Sequence, residues 1–162
     1  MSKENSQIKE NCKMSKKQVM AEIIRHTSLS DGIFDMTLKA EEIAKEAKAG
    51  QFISVYLNNK SKILPRPISI CGIDKEAGTL RFVDRTVGDG TKELSDYKEG
   101  ETVKILGPLG NGFTQKDKKA ILIGGGIGIP PMLELAKELD CEKQIVLGFR
   151  DELFLLEDFR NR

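Results

Sequence analysis

Three short stretches of this chain could carry chemistry, and each is built to grip an anion. The first is Gly124-Gly125-Gly126-Ile127-Gly128-Ile129-Pro130-Pro131. Glycines after an apolar run let the backbone turn sharply and approach a pyrophosphate, and the helix that follows offers free N–H groups to it. Proline suits the first turn of such a helix, where a missing N–H costs nothing. The third glycine of the usual dinucleotide fingerprint would fall at Ile129, and no Lys-Ser or Lys-Thr follows, so a P-loop is excluded. A purely structural tight turn is the competing reading. The second stretch, Leu64-Pro65-Arg66-Pro67-Ile68-Ser69-Ile70, sets one guanidinium between two prolines at the head of a strand. The prolines restrict the backbone, and arginine's planar fork matches a phosphate. Alone, it would pass for an edge-strand surface residue. The third, Val83-Asp84-Arg85-Thr86-Val87-Gly88-Asp89-Gly90-Thr91, leads into a helix with a Gly-x-Gly-Thr turn and can present N–H groups and a hydroxyl to an anion. A simple turn is its plainer alternative.

Other chemistries find less support. Cys12, Cys71 and Cys141 are far apart and form no Cys-x-x-Cys pair, so they read as reduced thiols, without the local spacing of a zinc or iron–sulfur site. The lone His26, beside Arg25 at an expected strand end, reads as a surface residue. A formal net charge of +1 provides no field for nucleic acid or an anionic membrane. The chain lacks tryptophan, which weakens any base-stacking platform. The apolar run Ala120 to Leu133 is too short to span a bilayer and is broken by glycines and prolines. With a polar, Lys-rich N-terminus, a cytoplasmic protein with neither nucleic acid nor membrane as partner is expected.

The elements that position these stretches follow from hydrophobic period. Residues 1–17 are polar and without period, and read as a disordered tail. Met36 and Leu38, Ile53 and Val55, Leu80 and Phe82, and Val103 and Ile105 each alternate with polar or outward residues, as half-buried strands do. Turn signals separate them, at Ser30-Asp31-Gly32, Asn58-Asn59, Ala77-Gly78 and Glu99-Gly100. Charged stretches at 41–48 and 91–98 read as short helices or turns. Strands at this spacing suggest a small antiparallel barrel or sandwich over residues 18–115. After the charged linker Gln115 to Lys119 the pattern changes. Ala120 to Ile123 reads as a strand buried on both faces, followed by the glycine turn, an amphipathic stretch from Met132 to Leu139, a second buried strand Gln144 to Phe149, and a helix beginning near Leu153. This is the opening of a doubly wound α/β domain, which needs roughly 100 residues to close its core. Residues 116–162 are therefore expected to hold only its first βαβ unit.

Taken in order, Arg66-Pro-Ile-Ser69, Arg85, Gly88-x-Gly90-Thr91, Leu106-Gly-Pro-Leu-Gly-Asn-Gly-Phe113 and Gly124 to Gly128 resemble the ferredoxin–NADP reductase superfamily. Within it they most resemble the electron-transfer subunits of dihydroorotate dehydrogenase B. Ala49-Gly50-Gln51-Phe52 is similar to that family's Pro-Gly-Gln-Phe, and the likeness runs from Gln18 to the C-terminus. It implies a mixed β and α/β fold: an antiparallel Greek-key FAD-binding β-barrel followed by a truncated Rossmann-like NAD-binding domain. It further implies that Arg66, Pro67, Ile68 and Ser69 contact FAD, with Arg66 on the pyrophosphate and Ser69 near the isoalloxazine N5. Val83, Asp84 and Arg85 would line the ribityl and phosphate region, and Gly90 and Thr91 would hold pyrophosphate oxygens. Gly124, Gly125, Gly126 and Gly128 would receive NAD(H). Family members often carry an aromatic residue where Asp84 stands. No side chain need be an acid–base catalyst, since hydride transfer is the flavin's own chemistry. The implied partner is a dihydroorotate dehydrogenase catalytic subunit, in a heterotetramer serving pyrimidine biosynthesis. The family's 2Fe–2S cluster is expected too, but its cysteine-rich segment has no counterpart here. A reductase subunit for ferredoxin, sulfide or hydrogenase chemistry, or a flavin-binding fragment without turnover, are the alternatives.

Overall fold

The computed structural model describes residues 16–59, 63–115 and 118–160. The expected tail, with Cys12, lies almost entirely outside these. Six strands follow in the first part: β1 (Lys17–Ser30), β2 (Ile33–Lys39), β3 (Phe52–Tyr56), β4 (Arg66–Asp74), β5 (Thr79–Arg85) and β6 (Thr102–Leu109). They close into a barrel in the order β1-β2-β5-β4-β3-β6, with every neighbouring pair antiparallel. Closure requires β1 to serve two neighbours. Its first residues, 17–22, pair with β6, and the remainder, broken by irregularities at Ile23/Arg25 and Ser28/Ser30, pairs with β2. Inside, Ile23, Leu38, Ile53, Ile70, Phe82 and Ile105 are all fully buried. Each contributes about 1.5–3 kcal/mol on burial, and together they are the reason the alternating pattern closes on itself.

Two short helices bridge the strands. The first, α1 (Glu41–Glu46), carries acidic residues in its first turn and Lys45 in its last, matching its dipole. The second, α2 (Asp89–Ser95), joins β5 to β6. His26 falls within β1 rather than at its end, half-buried, with Nδ1 2.6 Å from the Tyr97 carbonyl.

The second part is β7 (Ala120–Gly125), a 3-10 turn at Gly126–Gly128, α3 (Pro130–Glu138), β8 (Lys143–Gly148) and α4 (Leu156–Arg160). The strands β7 and β8 pair in parallel, from Ala120↔Lys143 to Gly125↔Gly148. Two sequence expectations fail here. Neither strand is buried on both faces: Leu122 is 3% exposed, but Ile121 and Ile123 are 66% and 73% exposed, and Val146 is 53% exposed. The covering layer explains this, because α3 packs one side of the pair and no described element covers the other. The last helix also begins at Leu156, not near Leu153, since Leu155 takes a left-handed φ of 61° that ends any continuous helix. Phe154 and Leu155 are instead buried in a second core that joins the two parts. There Ile33, Cys71 and Val83 of the barrel meet Leu122, Ile129 and Leu133.

Polar ties reinforce that seam. Glu134 of α3, 4% exposed, accepts the Ile73 N–H through Oε2 at 2.9 Å, and Lys137 donates to the Ile73 carbonyl at 2.8 Å. Burial pushes the Glu134 carboxyl above its ordinary range. Asp35 of β2, 2% exposed, receives Arg25 Nη2 at 2.8 Å and Arg81 Nε and Nη2 at 2.9 Å each, while Arg81 also reaches Asp158 of α4.

Candidate functional site

The three anion-gripping stretches converge. Arg66, Pro67, Ile68 and Ser69 of β4, Val83, Asp84 and Arg85 of β5, and Thr91 of α2 line one open cleft of about 290 Å³, with Val87, Ile127 and Pro131. Alternation along β4 explains which side chains are available. Ile68 and Ile70 are buried, which leaves Pro67 and Ser69 on the exposed face; Arg66 shares the face of Ile68 but stands at the first position of the strand and is partly accessible. Pairing of Val55 with Arg66 and Ser54 with Pro67 fixes that register against β3.

Gly90, in the first turn of α2, explains how closely two of these elements meet. A Cβ added there would lie 2.0 Å from Arg66 Nη2, 2.1 Å from Nε and 2.3 Å from Cζ. The guanidinium thus rests in the space that a side chain at Gly90 would fill, directly over the helix start, where backbone N–H groups lack helical acceptors. Arg66 Nη1 also donates to the Leu64 carbonyl, which aims the fork. The Thr91 hydroxyl, which the Gly-x-Gly-Thr pattern offered to an anion, is engaged within the turn. Its Oγ accepts the Val87 and Gly88 N–H groups at 2.9 and 3.2 Å and donates to the Gly88 carbonyl at 3.0 Å. Its proton is spent on holding the turn, so an anion would meet this residue through its backbone.

Several buried polar atoms at this end of the barrel have no protein partner: both carboxylate oxygens of Asp84, Arg85 Nε, Thr86 Oγ and Ser30 Oγ. Asp84 is 4% exposed, and burial pushes its carboxyl up to about 7. Unsatisfied groups of this kind are costly and call for a ligand or water. Arg85 also lines a neighbouring polar pocket of about 150 Å³, with Ser30, Gly126, Phe149 and Arg150 among its walls.

The glycine turn stands beside this cleft. Ile127 and Pro131 form part of its wall, and Gly126, at a φ of 51°, lines the neighbouring pocket. Gly124 has a packing reason: a Cβ there would sit 3.0 Å from Ile129 Cα and 3.2 Å from Met132 Cγ, so the strand could not approach α3. A Cβ on Gly125 or Gly128 would meet nothing closer than 4.0 Å, so the backbone there stands open to a ligand. The Ala49-Gly50-Gln51-Phe52 block is likewise architectural. Gln51, fully buried, accepts the Lys48 N–H and donates to the Gly110 carbonyl, both at 2.8 Å.

Val87, Ile127 and Pro131 line the cleft although the sequence singled out none of them as a contact, and Ser30, Phe149 and Arg150 line the neighbouring pocket. Ser30 belongs to a turn signal, while Val87 falls within the third of the anion-gripping stretches and Ile127 and Pro131 within the first, without a chemical group that marks them.

A flavin dinucleotide fits these residues: a guanidinium at a helix start for its diphosphate, an apolar wall from Val83, Ile127 and Pro131, and orphaned polar atoms for its polar edge. An iron–sulfur cluster does not fit them. Among the described residues no group of His, Cys, Asp or Glu is arranged to hold a metal ion, and burial pushes the Cys71 thiol far above its usual range.

Comparison with known proteins agrees with the barrel. The family model of the oxidoreductase FAD-binding domain matches residues 20–113. Dihydroorotate dehydrogenase B (NAD(+)) electron transfer subunits are among the similar proteins. The one from Streptococcus mutans is 42% identical over 80% of this chain and 53% of its own length. One from Listeria monocytogenes is 41% identical over 82% of this chain and 53% of its own length. The chain therefore spans about half the length of the curated relatives it matches. Among solved structures, an NADH-dependent reduced ferredoxin-NADP oxidoreductase superposes with a TM-score of 0.80 at 31% identity, covering 88% of this chain and 54% of that one. The ferredoxin reductase of carbazole 1,9a-dioxygenase superposes at 0.77 with 20% identity over 88% of this chain and 48% of its own, a likeness of fold. On the extent of the family match and the closed six-stranded barrel beneath it, this chain belongs to the oxidoreductase FAD-binding domain family, with dihydroorotate dehydrogenase B electron transfer subunits among its relatives.

Proposed function

We propose that this chain binds FAD in the cleft between β4, β5 and α2 and relays electrons between NAD(H) and a partner dihydroorotate dehydrogenase catalytic subunit. The observation that carries the reading is the Arg66 guanidinium seated over Gly90 at the start of α2. A fixed cation above open N–H groups is what a diphosphate needs. Arg66 holds the diphosphate there and Gly90 leaves room for it. Thr91 keeps the turn closed through its bonds to residues 87 and 88. Ser69, exposed on the strand two residues beyond Pro67, faces the flavin ring, and Val83 covers one apolar side. The open backbone at Gly125 and Gly128, with Gly126, receives the nicotinamide nucleotide beside the flavin cleft. Bound FAD supplies the hydride and single-electron chemistry, and the chain supplies alignment and exclusion of water. No described helix is long and apolar enough to cross a membrane, in keeping with work in the cytoplasm.

A second reading assigns the same cleft to a reductase subunit of a ferredoxin-linked complex. It is favoured by the 31% identity with the NADH-dependent reduced ferredoxin-NADP oxidoreductase. The two separate by electron acceptor: flavin reduced in this chain is reoxidised by orotate through a dihydroorotate dehydrogenase subunit, or by ferredoxin.

Titration of the purified chain with FAD, followed by quenching of flavin fluorescence, tests the core of the proposal. Saturable binding is expected. Arg66→Ala should weaken it by roughly 1.5–3 kcal/mol, the range for a hydrogen bond to a charged group. Absence of binding by the unaltered chain overturns the assignment, and unchanged affinity in the variant removes Arg66 from the site.

A further inference from the structure

Among the described residues Asp84 is the one acidic side chain that lines the cleft, and its surroundings do not suit an anion. It stands on β5 between Val83 and Arg85, opposite Phe34 of β2, and is 4% exposed. Neither carboxylate oxygen has a hydrogen-bond partner. Each neighbouring element adds to this setting. From β4 come Arg66 and the hydroxyl of Ser69, from β5 Arg85, from α2 Thr91, and from the turn after β7 the uncharged Ile127 and Pro131. Arg66 and Arg85 are the charged groups among them. Neither pairs with Asp84: burial raises the carboxyl, its own backbone N–H acts more weakly in the other direction, and no charged neighbour contributes. An ionised carboxylate without a partner in such a place costs several kcal/mol, whereas a protonated one costs little and carries a donor.

We propose that Asp84 enters the cleft as a neutral carboxylic acid and donates its proton in a hydrogen bond to an acceptor atom of the bound flavin nucleotide. This rests on the flavin-binding reading and adds to it a specific proton at a specific atom. Arg66, Arg85 and Ser69 also offer donors in this cleft, whereas the Thr91 proton is already given to Gly88; Asp84 adds a donor that ionisation can remove. Ionisation removes the donor and sets a negative charge beside the ligand, so proton and flavin bind together. Burial holds the carboxyl at about 7 before ligand arrives. Affinity is then constant in acid and falls as pH rises through that value.

The test is the FAD dissociation constant of the full chain, measured by fluorescence quenching from pH 6 to pH 8.5, for the unaltered protein and for Asp84→Asn. Asn keeps a donor at every pH. The expected result is an affinity that weakens about 30-fold by pH 8.5 in the unaltered protein and stays flat in Asp84→Asn. A flat variant also separates Asp84 from His26, which lies on β1 against Tyr97 and is unchanged by the substitution. An infrared band of a protonated carboxyl, present at pH 6, lost at pH 8.5 and missing from the variant, gives a second readout independent of FAD. Tight binding with no pH dependence in the unaltered protein overturns this inference and leaves the flavin site standing. So does a slope that survives in Asp84→Asn. Failure to bind FAD at any pH overturns the flavin reading itself, and this inference with it.

Discussion

Substituting Gly90 with alanine separates a ligand role for Arg66 from a structural one. The added Cβ would lie 2.0 Å from Nη2 and 2.3 Å from Cζ, with all three nearest atoms belonging to the guanidinium. Comfortable contact needs about 3.5 Å, so the group must retreat by roughly 1.5 Å. A charge-assisted hydrogen bond near 2.8 Å does not survive a displacement of that size. The loss is roughly 1.5–3 kcal/mol, or about 10- to 150-fold in FAD affinity. The fold, in contrast, loses nothing. Gly90 lies inside α2 without a left-handed backbone, and alanine is favoured over glycine in a helix by up to about 1 kcal/mol. The obstructing atoms are the far end of a flexible side chain, which can swing into the open cleft. Flavin-fluorescence titration and thermal unfolding should therefore move in opposite directions, with weaker binding and an equal or higher Tm. In the Arg66→Ala background the same substitution should cost less than about 0.5 kcal/mol, because its effect passes through Arg66. Unaltered FAD affinity in Gly90→Ala, or an equal cost in both backgrounds, would refute the reasoning.

Two further predictions concern stability. Asp35→Asn leaves Arg81 without its main partner while Arg25 and Arg81 keep partial access to water, so urea unfolding should show a loss of roughly 2–4 kcal/mol, below the full cost of breaking a buried pair. For Asp84, the folded value of about 7 lies above its ordinary 3.8, so the folded chain holds the proton more tightly and stability falls as pH rises between those values. The penalty approaches roughly 4 kcal/mol above pH 7, and Asp84→Asn without flavin should be more stable than the unaltered chain at pH 8 and nearly equal to it at pH 4.

What the sequence made legible were the features set by backbone chemistry. Prolines beside Arg66, the glycines of 88–90 and 124–128, and Pro130-Pro131 constrain dihedrals locally, so their elements could be read in place. The barrel strands were legible because one face must be apolar. The failures share a different cause: they depend on what lies across the fold. Ile121 and Ile123 read as core because an apolar run carries no mark of which face is covered, and α3 covers one. The Thr91 hydroxyl matched a phosphate-binding pattern, yet a carbonyl three residues earlier takes its proton. The resemblance places Asp84 in the flavin-lining stretch, but nothing local in the sequence marks its burial to 4% exposure. The Asp35–Arg81–Asp158 chain joins residues up to 77 positions apart and leaves no local signature.

Those long-range contacts bear on function through geometry. In the function proposed above, hydride transfer would require the glycine turn after β7 and the cleft to be held within a fraction of an ångström of a productive arrangement. The seam provides that hold. Ile129 and Leu133 pack into the barrel's Ile33, Cys71 and Val83, which fixes the distance between the turn and β5. Glu134 and Lys137 bind the N–H and carbonyl of the same barrel residue, Ile73, which fixes the rotation of α3 about its axis. Arg81 ties β5, the strand that carries Asp84 and Arg85, to Asp158 on α4. Apolar contact alone would let α3 slide, because it is non-directional. The two-point hold on Ile73 is directional, so the placement of Ile127 and Pro131 at the cleft wall follows from Glu134 and Lys137, side chains of α3 that line no part of that wall.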